Sequence, residues 1–317
     1  MPETELLHAD TPGIARAAQL LRAGKLVAFP TETVYGLGAD ATDDTAVARI
    51  FAAKNRPAFN PLIVHLPDLA AARDIAVFDD TAERLAATFW PGALTQVLPL
   101  QPGAGIAPLV SAGLGTIAIR IPDHALAQTL LRQTGKPVAA PSANPSGRIS
   151  PTSAAHVLAG LDGKIDAILD GGPCPVGLES TIVGVADTAT LLRPGGLPAE
   201  AIEACLGARL RRPTKTATPN APGQLASHYA PNVPLRLNAK SAENSELLLG
   251  FGPVTADLNL SPSGDLTEAA ANLFHHLHVL DKKAKPIAVS PIPDHGLGRA
   301  INDRLRRAAA PRPAATP

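Results

Sequence analysis

Short apolar runs alternate along the chain with stretches in which apolar residues recur every three or four positions. The first pattern is typical of buried strands, and the second is typical of helices that pack one face against a core. Apolar runs predict strands at 25–29, 61–66, 94–100, 116–121, 137–142, 166–172, 180–185 and 189–195. The alternation of the two patterns predicts an α/β unit whose strands run in mixed directions.

Capping and breaking residues predict where the intervening helices begin and end. Thr11 is predicted to cap a helix that has Pro12 at its first position and Gly24 at its end. Five further helices are predicted to begin at Asp43 or Asp44, Thr81, Asp123, Thr152 and Pro198. Thr152 is the predicted N-cap of its helix.

The composition changes after Gly207, where a stretch rich in Arg, Pro, Thr and Ala extends to Asn232. We interpret residues 208–232 as a linker between a first domain, 1–207, and a smaller C-terminal α/β domain, 233–317. In the second domain, apolar runs predict strands at 247–252 and 286–289. Helices are predicted at 265–280 and in the basic segment after His295.

Composition places the chain among globular proteins. Hydrophobic residues make up 45%, charged residues 18% and aromatic residues 3%, so Ala, Leu, Val and Ile must build the core. The net charge of +0 argues against a surface that binds nucleic acid as a whole. Cys174 and Cys205 lack the spacing of a disulfide framework or a zinc site. The absence of a signal pattern and of a long apolar run predicts a cytoplasmic location.

Two patterns that mimic known binding motifs are set aside. GLGTIA (113–118) matches a dinucleotide-binding pattern, but it leads into a predicted strand where that motif requires a helix. His275, His276 and His278 share a predicted helix, but no carboxylate or further His is spaced to complete a metal site. We interpret them as a polar helix face and identify no side chains that bind a metal.

Two cations follow a helix in the segment AKNRPAFNPLIVH. Pro57 biases Arg56 toward an extended conformation, so Arg56 and Lys54 are predicted to lie on one side of the chain. Because adjacent cations repel, an anion is expected between them, with Arg suited to a bidentate grip. Compensation of the helix dipole explains Lys54 alone, but not the Arg56, Asn60 and His65 that follow.

Small polar residues and further cations cluster where other predicted strands begin or end, the places where ligands collect in open α/β sheets. They are Thr33 in a glycine-containing turn, Ser142, Asn144 and Ser150 in a Ser/Pro loop, Ser180, and the strand-end cations Arg120 and Arg193. Arg120 ends an otherwise apolar strand, so it is expected either to face a ligand or to pair with a carboxylate. The set predicts a cleft for anionic, phosphate-bearing ligands.

These motifs resemble those of a known family. PTETVYGLG, KNRP followed by NPL, APSAN, and the pair STIV and LLRPG are similar to the YrdC-like threonylcarbamoyl-adenylate synthases. APGQLASHYAP and GLGRAINDRLRRAA are similar to the C-terminal extension of the longer, two-domain branch, so the resemblance covers nearly the whole chain. It implies a twisted mixed sheet with flanking helices and an open cleft, joined to a Rossmann-like C-terminal domain.

The resemblance implies that L-threonine, bicarbonate and ATP react to threonylcarbamoyl-AMP and pyrophosphate, with magnesium on the phosphates. The product would serve, through partner proteins, the threonylcarbamoyl-adenosine modification of tRNA next to the anticodon. On the threonine side the family's residues are similar to Thr33, His65, Arg120, Ala140 and Ser180. On the nucleotide side they are similar to Lys54, Arg56, Asn60, Thr116, Ser142, Asn144, Ser150, Arg193 and Tyr229, with Lys54 and Arg56 as catalytic cations.

The linker departs from the family pattern, because Gln224 to Ser227 stand where a Met and basic residues often precede HYAP. Closure of the linker over the nucleotide therefore rests on His228 and Tyr229. Two alternatives remain, an RNA-binding module with a basic cleft and no catalysis, and an enzyme that uses carbamoyl phosphate. Net charge and the lack of aromatic stacking candidates weigh against the first. The His-rich and zinc-finger segments of the second class are missing here.

Overall fold

The computed structural model describes residues 3–185, 188–212, 227–243 and 245–311. The strands are β1 (Glu5–His8), β2 (Val27–Phe29), β3 (Gly36–Asp40), β4 (Ile63–His65), β5 (Leu94–Pro99), β6 (Thr116–Arg120), β7 (Val138–Ala139), β8 (Ala167–Asp170), β9 (Thr181–Gly184), β10 (Thr190–Arg193), β11 (Leu235–Arg236), β12 (Leu247–Gly250), β13 (Leu258–Asn259) and β14 (Ile287–Val289). The helices are α1 (Thr11–Arg22), α2 (Asp44–Lys54), α3 (Leu69–Arg73), α4 (Asp80–Phe89), α5 (Pro108–Ser111), α6 (Ala125–Thr134), α7 (Ala154–Leu161), α8 (Ala199–Leu206), α9 (Leu266–Asp281) and α10 (Leu297–Ala309).

The larger sheet has the strand order β1-β8-β2-β3-β7-β4-β6-β5-β9-β10. β4 pairs parallel with β6 and antiparallel with β7, and β5 pairs antiparallel with β6 and parallel with β9. The predicted mixed-sheet α/β fold is therefore confirmed. A second, smaller sheet of parallel strands has the order β11-β14-β12-β13, which confirms the predicted C-terminal α/β unit.

The two faces of the larger sheet are covered differently. One face packs against α2, α4, α7 and α8 in the largest apolar cluster. The other face packs against α1 and α6 in the region of β1, β8, β2, β3 and β7. Further along that face, Ile63, Val97, Ala118 and Ile182 form a small cluster to which no helical residue contributes. Ile63 of this cluster lines the candidate site.

The C-terminal unit packs directly on the first unit. Apolar side chains of α9 and α10 share one buried cluster with Val34, Ile149 and Leu178, which belong to loops of the first unit. Gly177, at a φ of +72°, lies so close to α9 that a Cβ there would be 2.5 Å from the carbonyl oxygen of Ala270. Only glycine fits this approach, so the two units are in close contact beside the candidate site.

Three helices begin one residue away from the predicted caps. The caps are Asp10, His124 and Ser153, where the sequence predicted Thr11, Asp123 and Thr152. Each observed cap has an extended backbone and accepts a hydrogen bond from the backbone N–H three residues later. Two adjacent polar residues can each be read from the sequence as the N-cap, and only the backbone conformation shows which of them caps the helix.

The glycine-containing segment after β2, predicted as a turn, forms β3, which pairs antiparallel with β2 and β7. A Cβ at Gly38 would lie 2.9 Å from the Phe29 ring, and one at Gly36 would lie 3.2 Å from the Ala140 Cβ. The glycines thus let strands and side chains pack closely inside the sheet. The short elements β1, α3, α5, β11 and β13 were likewise missed, because a few residues carry too little periodicity.

Ile50 of α2 is fully buried in the largest cluster. Ile50→Ala leaves a cavity in a close-packed core, so we expect the free energy of unfolding to fall by about 2–5 kcal/mol. Urea denaturation measures this change. Leu158→Ala on α7 is the control, because Leu158 is 40% exposed, and its effect should stay within about 0.5 kcal/mol. Equal losses in both variants would contradict the buried role of α2.

Candidate functional site

A pocket lies against β3, β4 and β6, which contribute Gly36, Ile63, His65 and Arg120 to its lining. Nine of the residues predicted from the sequence line it: Thr33, Arg56, His65, Arg120, Ala140, Ser142, Ser180, Arg193 and Tyr229. The cavity has a volume of ≈ 50 Å³. The pocket is therefore narrow in this conformation.

Lys54 is the last residue of α2, and Asn55, with a φ of 50°, turns the chain out of the helix. The Lys54 ammonium is buried and donates to the carbonyl oxygens of Ser142 and Asn144. Burial lowers the pKa of Lys54 well below its ordinary value, and the charge of Arg56 lowers it further. Lys54 thus holds the loop that begins at Ser142, and its ammonium does not line the pocket.

Arg56 faces the pocket. Its guanidinium donates to the carbonyl oxygens of Asn60 and Pro61, the latter at 2.8 Å. Burial lowers the pKa of Arg56 to about 9, and the nearby charge of Arg193 also lowers it. A negatively charged ligand would favour the protonated form of Arg56, so the site is suited to an anion.

Arg120 pairs in register with His65 across β6 and β4. Its Nη2 lies 2.6 Å from Oε1 of Glu32, and its Nη1 donates to the Thr33 hydroxyl at 2.8 Å. Arg120 is therefore paired with a carboxylate, one of the two alternatives, and it also lines the pocket, so its contact with a ligand stays a prediction. Neither Glu32 oxygen nor Arg120 Nη2 has an aligned hydrogen-bond partner among the described residues, so this ion pair retains unused hydrogen-bonding capacity.

His65 is buried next to Arg120. Its Nδ1 lies 3.3 Å from the Ile63 carbonyl oxygen, and its ring meets the Phe29 ring edge-on. Burial lowers the pKa of His65 to about 3, with a further contribution from the Arg120 charge. The imidazole is neutral near pH 7, so it offers a hydrogen bond to a ligand without adding charge.

The loop after β7 carries the predicted small polar residues. Ser142 lines the pocket, whereas the Asn144 amide donates to the carbonyl oxygens of Pro145 and Arg148. The buried Ser150 hydroxyl donates to the carboxylate of Glu179. Asn144 and Ser150 therefore fix the shape of the loop, and of the three only Ser142 reaches the cavity.

Arg193, at the end of β10, binds the backbone just before β9. Its guanidinium donates to the Ser180 carbonyl oxygen at 2.8 Å and 3.2 Å, and the Ser180 hydroxyl lies 2.7 Å from that of Thr95. Gly195 permits this arrangement, because a Cβ there would lie 2.3 Å from the Glu179 carbonyl oxygen. The strand ends are packed so closely that Ser180 and Arg193 are positioned as a unit.

Tyr229 closes the pocket from the C-terminal side. Its backbone has a φ of 61°, its ring stacks on His228 at 4.1 Å between centroids, and both residues line the pocket. The side chain is buried and its hydroxyl has no hydrogen-bond partner among the described residues. Burial raises the pKa of Tyr229, so the hydroxyl is protonated and available as a donor.

Five predicted site residues do not line the cavity: Lys54, Asn60, Thr116, Asn144 and Ser150. Thr116 lies at the opposite end of β6 from Arg120, on the same face by strand alternation. Asn60 is fully buried, and neither polar atom of its side chain has a partner among the described residues. Neither residue reaches the space that this conformation leaves open, so their place on the nucleotide side stays a prediction.

Two buried charged residues were missed by the sequence analysis. Glu179 lines the pocket, and Arg304 of α10 pairs with it at 2.7 Å. The sequence predicts a basic helix after His295. In the structure, Ile301, Leu305 and Ala308 of that helix are buried around Arg304 at helical spacing. This periodicity was the available signal that Arg304 points inward.

The segment Gln224 to Ala226 of the atypical linker lies outside the described residues, and so does most of the predicted linker, 213–226. The described part resumes at Ser227. The predicted departure from the family's basic pattern therefore falls almost entirely on residues outside the described ranges.

The histidines of α9 lie against the first unit. The His278 ring stacks on His156 of α7 at 4.0 Å between centroids, and His275 is 5.6 Å from His156. Across the described ranges, no three His, Cys, Asp or Glu side chains are grouped so that they could hold a metal ion. In the same ranges, no helix is long and apolar enough to cross a membrane.

Two family models match the chain. One, described as "Telomere recombination" and covering Sua5, YciO and YrdC proteins, matches residues 19–195. The other, described as "Threonylcarbamoyl-AMP synthase, C-terminal domain", matches residues 197–310. The two models meet between residues 195 and 197, ten residues before the predicted end of the first domain at Gly207.

Relatives and solved structures match along nearly the whole length. The threonylcarbamoyl-AMP synthase of Bacillus subtilis (strain 168) is 43% identical, with 98% of this chain and 96% of that protein covered. That of Pyrococcus abyssi is 41% identical, with 92% and 93% covered. The crystal structure of P. abyssi Sua5 with L-threonine superposes with a TM-score of 0.90 at 38% identity, covering 96% and 98%. E. coli YciO superposes with a TM-score of 0.55 at 25% identity and covers 62% of this chain and 96% of its own.

The buried histidines predict an acid-sensitive fold. Burial is the main cause that lowers the pKa of His65, His156 and His228 to about 3 and that of His278 to about 4. Unfolded histidines take up protons below about pH 6.5. Below that pH the unfolded state binds more protons than the folded state, so stability falls with falling pH. We expect the free energy of unfolding to drop between pH 6.5 and 4 by up to about 1.4 kcal/mol per pH unit for each histidine.

Urea denaturation at pH 7, 6 and 5 measures this slope. His156→Gln removes one buried imidazole and should flatten the dependence, whereas His295→Gln, which replaces an exposed imidazole, is the matched control. The same slope in both variants would show that buried histidines do not cause the acid sensitivity.

Proposed function

Because the chain belongs to the Sua5/YrdC family, whose relatives here are threonylcarbamoyl-AMP synthases, we propose that it makes threonylcarbamoyl-AMP and pyrophosphate from L-threonine, bicarbonate and ATP. Such an enzyme is a nucleotidyltransferase. The observation that carries the proposal is the convergence of Arg56, Arg120 and Arg193 from three separate segments on one pocket. Three cations in one narrow pocket match substrates that carry carboxylate and phosphate groups.

The proposed reaction joins two negatively charged partners. The threonine amine bonds to the carbon of bicarbonate with loss of water, and an oxygen of the resulting carbamate attacks the α-phosphorus of ATP. The bond between that phosphorus and the oxygen of the β-phosphate breaks, and pyrophosphate leaves. Fixed cations stabilise the charge that accumulates and hold the reactants in line, without a covalent enzyme intermediate.

Threonine fits the end of the pocket near Arg120. In our proposal, Arg120 binds the carboxylate, and the Thr33 and Ser180 hydroxyls, neutral His65 and the backbone near Ala140 surround the rest of the amino acid. This arrangement is supported by the unused hydrogen-bonding capacity of the Arg120–Glu32 pair. It is also supported by the P. abyssi Sua5 structure, which was solved with L-threonine.

We propose that the nucleotide binds at the other end of the pocket. In our proposal, Arg56, Arg193 and Ser142 contact the phosphates, and Lys54, Asn144 and Ser150 hold the loop that presents Ser142. Lys54 would then act in catalysis together with Arg56 by fixing this loop and by adding positive charge behind it. The orphaned amide of Asn60 and the hydroxyl of Thr116 would complete the nucleotide side.

Magnesium is proposed to enter with ATP, held by the phosphate oxygens. Mg²⁺ is commonly bound through one or two carboxylates together with substrate phosphates. The two acidic side chains nearest the pocket, Glu32 and Glu179, are each paired with an arginine. A magnesium ion held by the triphosphate oxygens needs no ligand from these paired carboxylates. The side chains around the pocket therefore fit MgATP as the substrate.

ATP requires movement of Tyr229. The cavity volume of ≈ 50 Å³ is far below the roughly 300–1,000 Å³ of pockets that bind small molecules. His228 and Tyr229 take up space at the C-terminal side of the pocket. We propose that they swing aside to admit ATP and close over it, which agrees with the predicted contact of Tyr229 with the nucleotide.

The product is a mixed anhydride that water hydrolyses, so a protein that consumes it is expected close by. We propose that this consumer transfers the threonylcarbamoyl group to the tRNA adenosine next to the anticodon. In our proposal, contact of this chain with tRNA is transient, and the reaction takes place in the cytoplasm.

Pyrophosphate release is the direct test of the proposed reaction. We expect release from ATP to require both L-threonine and bicarbonate, because the carbamate forms only when both are present. A coupled phosphate assay with each substrate omitted in turn measures this dependence. Equal release without threonine would refute the proposal. Steeply salt-dependent RNA binding without any release would instead favour the RNA-binding module.

Lys54→Ala tests the loop behind the nucleotide. Loss of the ammonium frees the two carbonyl groups it holds, so kcat should fall about 100-fold or more while the protein still folds. Lys164→Ala, at an exposed lysine of the first unit, is the matched control and should keep wild-type turnover. Circular dichroism and the same pyrophosphate assay compare the two variants. Wild-type turnover of Lys54→Ala would remove Lys54 from the mechanism.

A further inference from the structure

Arg304 extends from the C-terminal unit into the wall of the candidate site. It lies on α10 and is the largest fully buried side chain of the described chain. Its Nε donates to Glu179 at 2.7 Å, and its Nη1 donates to the Pro194 carbonyl oxygen and to Asp303. Burial alone would lower its pKa, but Tyr229 and the carboxylates outweigh burial and raise it. Arg304 is therefore a permanent charge inside the protein.

The partner of Arg304 connects it to the pocket. One oxygen of Glu179 accepts from Arg304, and the other accepts from the Ser150 hydroxyl. Glu179 lines the pocket and immediately precedes Ser180 in the sequence. Burial raises the pKa of Glu179, but the charges of Arg304 and Arg193 outweigh burial and lower it. The carboxylate therefore stays ionised and keeps both contacts at neutral pH.

Arg304 also contacts the aromatic side chain at the C-terminal side of the pocket. Its guanidinium carbon lies 5.0 Å from the centroid of the Tyr229 ring, within the range of a cation–π interaction. Three residues further along, the Arg307 carbonyl oxygen accepts from the His228 backbone N–H. The helix α10 thus holds both His228 and Tyr229, which the proposed reaction requires to move.

A second C-terminal helix holds the same loop. His278 of α9 lies with its Nε2 3.2 Å from the Ser150 carbonyl oxygen. Ser150 is therefore held through its backbone by α9 and through its side chain, by way of Glu179, by α10. Both helices of the C-terminal unit converge on one residue beside the pocket.

Stability alone does not explain the buried ion pair of Arg304 and Glu179. Buried ion pairs often add little over apolar residues of similar volume, because desolvation offsets their attraction. Moreover, Nη2 of Arg304 is buried without a hydrogen-bond partner among the described residues. A buried donor without a partner costs stability, so the position of Arg304 beside the Tyr229 ring calls for an explanation other than stability.

We propose that Arg304 is a positioning residue for the nucleotide side of the site, through Glu179 and Ser150 on one side and Tyr229 on the other. The kinetic part of this inference rests on the proposed function. It makes the C-terminal unit a component of the active site, because the charge that sets the wall of the pocket comes from α10.

Arg304→Met and Arg306→Met form a matched pair on the same helix, since Arg306 is exposed. We expect Arg304→Met to raise the KM for ATP about tenfold and to change the KM for threonine less than about threefold, as expected for loss of one coupled contact on the nucleotide side. Arg304→Lys, which keeps the charge without the fork, should lie between Arg304→Met and wild type. Kinetic constants of Arg304→Met equal to those of Arg306→Met would overturn the proposal.

Arg304→Met leaves Glu179 buried without its cation and can prevent folding. The variant Arg304→Met/Glu179→Gln removes that charge, and Glu179→Gln alone is its reference. A higher KM for ATP in the double variant than in the reference supports the proposal. Identical constants in the two variants overturn it.

Hydrogen exchange gives a readout that does not depend on catalysis. The Ala230 amide donates to the Gly147 carbonyl oxygen, so peptides covering 227–233 report on the Tyr229 segment. We expect faster exchange in Arg304→Met than in Arg306→Met, and unchanged exchange would overturn the positioning role. If wild type releases no pyrophosphate, the proposed reaction fails, yet the exchange comparison still tests Arg304.

Discussion

Buried positive charge without matching negative charge is the constraint on which this site depends. The cations around the pocket are Lys54, Arg56, Arg120, Arg193 and Arg304, and the buried carboxylates among them are Glu32 and Glu179. Charges removed from water must be paired or hydrogen-bonded, and here backbone carbonyl groups supply most of the missing partners. Carbonyl groups carry only partial charge, so in our proposal an anionic substrate completes the electrostatic balance.

The fold provides those carbonyl groups at fixed places. The loops that follow β7 and β10 and the loop that precedes β9 meet at Glu179, which contacts Ser150 and lies against Gly195. Gly195 allows one of these loops to touch the β9 backbone, and Pro141 and Pro145 restrict another. The polar atoms are thereby held before any ligand arrives, which lowers the cost of ordering them on binding.

Much of this was readable from the sequence, and the failures have physical causes. Apolar periodicity predicted the long helices and central strands, because burial on one face imposes it. Strand ends and small polar residues located the pocket, and most predicted residues line it. The sequence could not separate Ser142, which reaches the cavity, from Asn144 and Ser150, whose side chains turn to the backbone or to Glu179. Glu179 and Arg304 were missed because 125 positions separate them, and no local pattern relates two such residues.

The apolar cluster shared by the two units has an evolutionary consequence. A protein that kept the larger sheet and lost the C-terminal unit would expose Val34, Ile149 and Leu178 to water and would leave Glu179 without its cation. E. coli YciO, which matches 62% of this chain with nearly its whole length, has the size of such a shorter form. A shorter chain would therefore need polar residues in place of these apolar side chains and a neutral residue in place of Glu179. Several coupled substitutions, rather than a simple truncation, separate the long and short architectures.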